Sequence, residues 1–317
     1  MIDVIAVQLL ILAVSLIVLA LASHFAIGYI EMFMEFTGLS EASAGFVILS
    51  LVTTLPEVTV AVFALLDGVP ELSVGDILGS HVFNIGIVVG ILGVSGAFRK
   101  FATEPIGELV DLLFLASIVP LLLVISRVTV VIPFFANQIV GIALLAVFGF
   151  SVYEMIKKRS PASADLVKKT VGKSQRRTFI VIVICSMLVV LASRLAVSSA
   201  VSAASLLGIL PVLIGARIVA VGTSLPELAF GLAAVKRGRI HLVLADVIGA
   251  NVATITLVLG VVLIASSFMI DVIALAEILL FVLTMNVLLW RFLTKGGISQ
   301  VGGIVLIMVY VLFQAVI

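Results

Sequence analysis

Charge is scarce in this chain. Only 11% of its 317 residues are Asp, Glu, Lys or Arg, where a soluble domain carries roughly a quarter. There is one cysteine, Cys185. It cannot close an intrachain disulfide, and its apolar surroundings make it a small core residue. The sequence holds no glycine-rich phosphate loop, no nucleophile–His–acid set and no Cys/His metal cluster. These absences argue against an enzyme and against a nucleotide-driven pump, so any transport must draw on an ion gradient. They leave no expected cofactor, nucleotide or nucleic acid. No cleavable signal peptide is expected, because the first apolar run lacks a positive leader and continues for about 25 residues.

Apolar residues are what the chain has in abundance. They make up 63% of it, with a mean hydropathy of +1.43. This is the composition of an integral membrane protein lying almost wholly in the bilayer. A span needs about 20 apolar residues, and ten stretches qualify: roughly 4–30, 42–66, 72–97, 106–126, 131–156, 178–205, 209–235, 241–267, 270–292 and 298–317. The one clearly polar segment, 157–177, is read as a basic cytoplasmic linker between halves 1–156 and 178–317. With the N-terminus outside, inner loops take 15 of the 18 basic residues, as the bias of Lys and Arg towards the cytoplasm requires. Only Arg127 then lies outside. Arg194 and Arg217 fall within spans and are expected to snorkel or to pair with an acid such as Asp246 or Glu277.

The halves repeat. Shifted by 170 residues, 38–90 lies on 208–260 with about 16 of 53 positions identical, a high match for a diverged internal repeat. Five spans per half is an odd number, so the second half enters from the opposite side. The expected fold is therefore an all-α integral membrane protein with ten transmembrane helices as two inverted five-helix repeats. Such folds bind their cargo at mid-membrane between the repeats.

Within the repeat, Val52-Thr53-Thr54-Leu55-Pro56-Glu57 answers Gly222-Thr223-Ser224-Leu225-Pro226-Glu227. A charged side chain at bilayer depth costs roughly 2.5 kcal/mol or more, so it marks function. Proline breaks the helix and is expected to free carbonyls near Ser50–Val52 and Ala220–Gly222. Carboxylates, hydroxyls and loose carbonyls are hard donors that suit Ca²⁺ or Na⁺. A structural kink with a capping glutamate explains one copy but poorly explains two. Downstream, Asp76, Ser80 and Asn84 step by four along one helix face, and Asp246, Ala250 and Thr254 repeat the stripe with weaker ligands. Polar packing between helices is the plain alternative for Ser80 and Asn84, and for the two aspartates it is a helix end facing water. His81 is either a proton-sensitive element or a hydrogen-bonded packing residue. Glu104, Glu108 and Asp111 read as a solvated helix start favouring acids, with a regulatory cation site as the alternative.

At these residues the chain resembles the cation/calcium exchanger superfamily, and most closely its prokaryotic sodium/calcium exchanger branch. That family carries Gly-Thr-Ser-Leu-Pro-Glu and then a Gly-Asn-x-x-Gly-Ser-Asn-x-x-Asn-like helix in each of two repeats, and Gly222 to Glu227 matches the first motif throughout. The resemblance covers about a third of the chain. It implies that Glu57 and Glu227 are central Ca²⁺ ligands. Thr53 and Thr223, with carbonyls near Ser50 and Ala220, would serve Ca²⁺ or Na⁺. Thr54, Ser224 and Ser80 would line flanking Na⁺ sites, and Asn84 would complete the centre. The first and sixth spans would slide as the gate. The chain departs from the pattern at Val52, Thr54, Asp76, Asp246, His81, Ala250 and Thr254, which take ligands from one flanking Na⁺ site and add two acids. The reading is a Ca²⁺/Na⁺ antiporter working by alternating access, expected as a monomer in a plasma membrane and in contact with its lipid. Asp76, Asp246 and His81 support a rival, a proton/divalent exchanger on the same scaffold; a cation channel is the other alternative.

Overall fold

The computed structural model describes residues 2–34, 53–98, 104–129, 136–157, 174–266 and 271–317. Ser50 and most of the basic linker lie outside them. The described chain is helical between its turns. In order, the helices are α1 (Ile2–Met34), α2 (Leu55–Leu66), α3 (Pro70–Phe83), α4 (Gly90–Val94), α5 (Glu104–Ile118), α6 (Leu121–Thr129), α7 (Ala136–Lys157) and α8 (Ser174–Leu207). Then come α9 (Pro211–Ile214), α10 (Ala220–Thr223), α11 (Leu225–Lys236), α12 (Ile240–Ala253), α13 (Leu259–Ala265), α14 (Val272–Thr294) and α15 (Gln300–Val316). Three π-helical segments, Asn84–Val89, Gly215–Val219 and Thr254–Val258, join α3 to α4, α9 to α10 and α12 to α13.

Among the described residues six stretches are long and apolar enough to cross a membrane: Val4–Ala22, Pro70–Val94, Val183–Leu207, Pro211–Lys236, Ile240–Ala265 and Val272–Thr294. Shorter apolar helices cover Leu55–Leu66, Val110–Ile125, Asn137–Tyr153 and Gln300–Val316. Each overlaps one of the stretches expected from hydropathy. One expectation needs correction. The stretch 106–126 is interrupted by a turn at Val119–Pro120, because proline brings no N–H to continue the helix.

The sequence repeat survives as a repeat of elements. The bounds of α2 and α11 differ by 170 residues at both ends, as do those of α3 and α12. α3 and α12 are the inner helices: every residue from Leu72 to Phe83 and from Leu242 to Ala253 is buried. Glycine sets how closely α3 meets the second half. A Cβ on Gly75 or Gly79 would overlap backbone atoms of Val212 or Ala216, and one on Gly215 would overlap the Leu72 carbonyl. Backbone therefore lies on backbone along this seam, as small residues allow between membrane helices.

α1 and α8 pack along one another at the edge of this core. Leu12, Leu16, Leu19 and Ala22 of α1 point inward, as do Ala192, Ala196, Ala200 and Ala204 of α8. The opposite faces, with Val7, Leu10, Val14 and Leu21 on α1 and Ile184, Met187, Leu191 and Leu195 on α8, are exposed and apolar. A helix with an apolar outer face is at home against lipid, since hydrocarbon imposes no penalty on it.

Candidate ion-binding site

Each Leu-Pro-Glu triplet starts a new helix. Thr54 (φ −77°, ψ 0°) and Ser224 (φ −95°, ψ 2°) interrupt the helical run, and α2 and α11 begin one residue later with proline in the first turn. A first-turn N–H has no intrahelical partner, so proline loses nothing there. Glu57 and Glu227 follow at once, in the same first turn, where the helix dipole favours an anion. Both are buried, at 1% and 0% exposure. Of the carbonyls expected near the breaks, those of Ser50–Val52 lie outside the described residues. Ala220 O accepts the Ser224 amide at 3.2 Å, Thr54 O accepts that of Val58 at 3.0 Å, and Ser224 O accepts that of Leu228 at 3.3 Å.

Facing these turns lie α3 and α12. Asp76 and Asp246 are buried mid-helix, which removes the reading of a helix end facing water. Each meets the broken turn of the other repeat. Thr223 Oγ1 donates to Asp76 Oδ1 at 2.9 Å, and Thr53 Oγ1 donates to Asp246 Oδ1 at 3.3 Å. Ser80 Oγ lies 3.2 Å from Thr223 Oγ1. Asn84 Nδ2 donates to Asn251 Oδ1 at 3.0 Å. The structure thus joins Asp76, Thr223 and Ser80 in one set of contacts and Thr53 and Asp246 in a second, each spanning the two repeats, with Asn84 tied to the second repeat through Asn251. Thr54 and Ser224 are buried in the turns themselves.

Thr254 turns its hydroxyl back onto its own helix, donating to Ala250 O at 2.9 Å, and Ala250 offers no side-chain oxygen. Asn251 is the residue that reaches across, and it stands where the first copy has His81. His81 points elsewhere, towards α14 and α5. Ser117 gives its hydrogen to Leu113 O at 2.7 Å and so accepts from Asn286 Nδ2 at 2.7 Å. The amide then presents Oδ1 to His81 Nε2, 2.7 Å away, which carries the hydrogen. His81 is a packing residue in a polar relay, as one of its two expected readings had it. Arg194 pairs with Asp67 and sits 5.4 Å from the Phe63 ring, and Arg217 donates to the Gln314 carbonyl at 2.6 Å. Neither meets Asp246 or Glu277. Asp111 is exposed, and the side chains of Glu104 and Glu108 lie outside the described residues.

Several buried oxygens in this centre have no hydrogen-bond partner: Glu57 Oε2, both carboxylate oxygens of Glu227, Asp76 Oδ2, Ser224 Oγ and Asn84 Oδ1. All are hard donors of the kind Ca²⁺ and Na⁺ take. Four carboxyl groups lie buried, and among the described residues no Lys or Arg is buried with them. Buried charge without a partner is strongly unfavourable, so these carboxyls either hold protons or take up a cation. Among the described residues no three acidic or imidazole side chains converge as a compact metal cluster. Neutral hydroxyl, amide and backbone oxygens must therefore complete any cation's shell.

The sodium/calcium exchanger protein family matches residues 7–157 and 177–317, taking in both repeats and nearly all of the chain. The chain belongs to this family. Among similar exchangers is sodium/calcium exchanger MaX1 of Methanosarcina acetivorans, 25% identical over 98% of this chain and 99% of its own. The inner membrane protein YrbG of Escherichia coli is 28% identical over 70% of this chain and 69% of its own. Among solved structures, the sodium-calcium exchanger NCX_Mj soaked with Na⁺ superposes with a TM-score of 0.69 at 25% identity, covering 99% of both chains. The exchanger is a multi-pass membrane protein, as its family and its apolar helices require.

Proposed function

We propose that this exchanger moves Ca²⁺ in one direction against Na⁺ in the other, binding both at the Glu57–Glu227 centre between its repeats. The observation that carries this reading is the pair of broken helices, each placing a buried glutamate at its first turn with no resident positive charge. Ca²⁺ or several Na⁺ would neutralise the centre in turn. Only a neutralised centre crosses between inward- and outward-open states at tolerable cost. The site residues are Glu57, Glu227, Thr53, Thr223, Thr54, Ser224, Ser80 and Asn84, with the backbone carbonyls of Ser50 and Ala220. Asp76, Asp246 and Thr254 stand behind them. The sodium/calcium exchanger relatives support the ion pair.

The same reading takes 1–156 and 178–317 as five-span repeats of opposite orientation about the linker 157–177. The N-terminus is outside, because the basic residues then fall on the cytoplasmic side. The membrane is the plasma membrane, in keeping with the inner-membrane relative, and the working unit is a monomer. α1 and α8 form the moving gate, since they pack on each other and expose apolar faces able to slide along lipid.

The test is radioactive Ca²⁺ uptake into proteoliposomes loaded with Na⁺ and diluted into Na⁺-free buffer at equal pH. Uptake that requires internal Na⁺ and disappears in Glu227→Gln is the expected result. Uptake driven only by an imposed pH gradient would overturn Na⁺ coupling in favour of proton exchange. Uncoupled downhill flux would make the protein a channel.

A further inference from the structure

Thr223 has one hydroxyl hydrogen and four oxygens within reach. They are Asp76 Oδ1 at 2.9 Å, Ala220 O and Ser80 Oγ at 3.2 Å, and Val219 O at 3.3 Å. The Asp76 carboxylate is the nearest acceptor and the only one able to carry formal charge, and charge-assisted hydrogen bonds are roughly twice as strong as neutral ones. It therefore wins the hydrogen. Two things follow for a cation arriving at the centre. The Thr223 oxygen presents a lone pair instead of a hydrogen. The Ala220 carbonyl is spared the threonine, which otherwise folds back onto it as helical threonines commonly do. Thr53 and Asp246 make the same contact from the other repeat, at 3.3 Å.

We infer that Asp76 and Asp246 are positioning residues that set cation affinity by holding the Thr223 and Thr53 hydroxyl hydrogens away from the ion. The inference rests on the ion-binding reading of the Glu57–Glu227 centre and deepens it. The family pattern has asparagine at both positions, so the chain's two acids strengthen a contact that an amide oxygen makes more weakly. The shorter bond makes Asp76 the more influential of the two. Each aspartate acts across the seam between repeats, on a threonine 147 or 193 residues away in the chain.

The test reads the Ca²⁺ concentration that half-maximally raises the thermal midpoint of the full-length protein in detergent, alongside the KM for Ca²⁺ uptake in proteoliposomes. D76L is expected to weaken Ca²⁺ about tenfold in both, the effect of losing a hydrogen bond to a charged group. D76N keeps an acceptor oxygen and is expected to recover the affinity to within about threefold. In a T223V background D76L is expected to add nothing, since coupled residues are not additive. D246L is expected to have the smaller effect.

An equal loss in D76N and D76L overturns the inference, because the charge itself would then hold the ion. A D76L loss that persists undiminished in T223V overturns it too. Should D76L not fold, D76N with and without T223V carries the test, and an equal D76N loss in both backgrounds is the overturning result. A wild type that binds Ca²⁺ in detergent without Na⁺-driven uptake overturns the exchange reading alone, because binding still reads the aspartates. A wild type whose midpoint ignores Ca²⁺ overturns both.

Discussion

Ser193 Oγ of α8 lies 2.6 Å from Thr59 Oγ1 of α2. Thr59 gives its own hydrogen to Pro56 O at 2.9 Å, so Ser193 is the donor of the pair. Pro56 immediately precedes Glu57, and the edge helix α8 is thereby tied to the turn that presents the carboxylate. Removing the donor in Ser193→Ala should cost about 1 kcal/mol of this contact. The expected outcome is a change of up to about fivefold in maximal exchange rate. Proteoliposome kinetics over a range of Ca²⁺ check it, and a rate equal to wild type would show that α8 is not held here.

Glu57→Gln and Glu227→Gln keep shape and remove charge. Each is expected to reduce Na⁺-driven Ca²⁺ uptake at least about a hundredfold, the scale of losing one partner of a buried ionic contact. Normal transport in either variant would remove that glutamate from the site.

Gly222 tests how α1 closes over the second turn. A Cβ there would meet Leu16 Cδ2 at 2.5 Å and Leu16 Cβ at 2.7 Å, an overlap worth about 1–3 kcal/mol of strain. Gly222→Ala should push α1 away and slow exchange, and Leu16→Ala in the same protein should restore it. Transport rates of the single and double variants decide this, and failure of the second change to rescue would place the strain elsewhere.

The His81–Asn286–Ser117 relay should matter for folding and not for the ion. Asn286→Ala leaves the buried His81 Nε2 hydrogen without its acceptor, at about 1–3 kcal/mol, while Ser117 keeps its bond to Leu113 O. The thermal midpoint in detergent is expected to fall while the KM for Ca²⁺ holds. A raised KM with an unchanged midpoint would move the relay into the transport mechanism.

Arg194 and Asp67 offer a contrast between a visible contact and a strong one. Their side chains are 46% and 23% exposed, so solvent and headgroups screen the pair to within about 1 kcal/mol. Asp67→Asn is expected to change the exchange rate by no more than about fivefold. Added salt should erase the difference, whereas a salt-independent loss would reveal a tighter coupling.

What could be read from the sequence, and what could not, divides by distance along the chain. Glu57 and Glu227 were legible because proline and carboxylate stand side by side inside apolar runs. The helical stretches were legible because hydrocarbon permits little else. The Asp76–Thr223 and Asp246–Thr53 bonds were not, since each joins residues far apart and no periodicity connects them. Asn251 escaped because its counterpart in the first copy is His81, so comparing the copies hid it. The direction of the Thr254 hydroxyl is a rotamer choice, and residue identity does not reveal it. Arg194 was expected to snorkel or to pair with an acid such as Asp246 or Glu277; it is half exposed and its acid is Asp67, just past the end of α2.

The π-helical segments give the protein an unusual relation to its own length. Two begin at a polar residue of the stripes, Asn84 or Thr254, and the third runs into Ala220. A π turn is an α-helix holding one surplus residue. Dropping one residue, for example Ile87, would heal the helix. It would also rotate everything beyond it by about 100° relative to Asn84. Gly90, which now lets the backbone of Gly303 approach, would turn away from it. The spare residue is thus a phase shifter: local perfection of the helix and correct aim of the polar stripe are mutually exclusive in this fold.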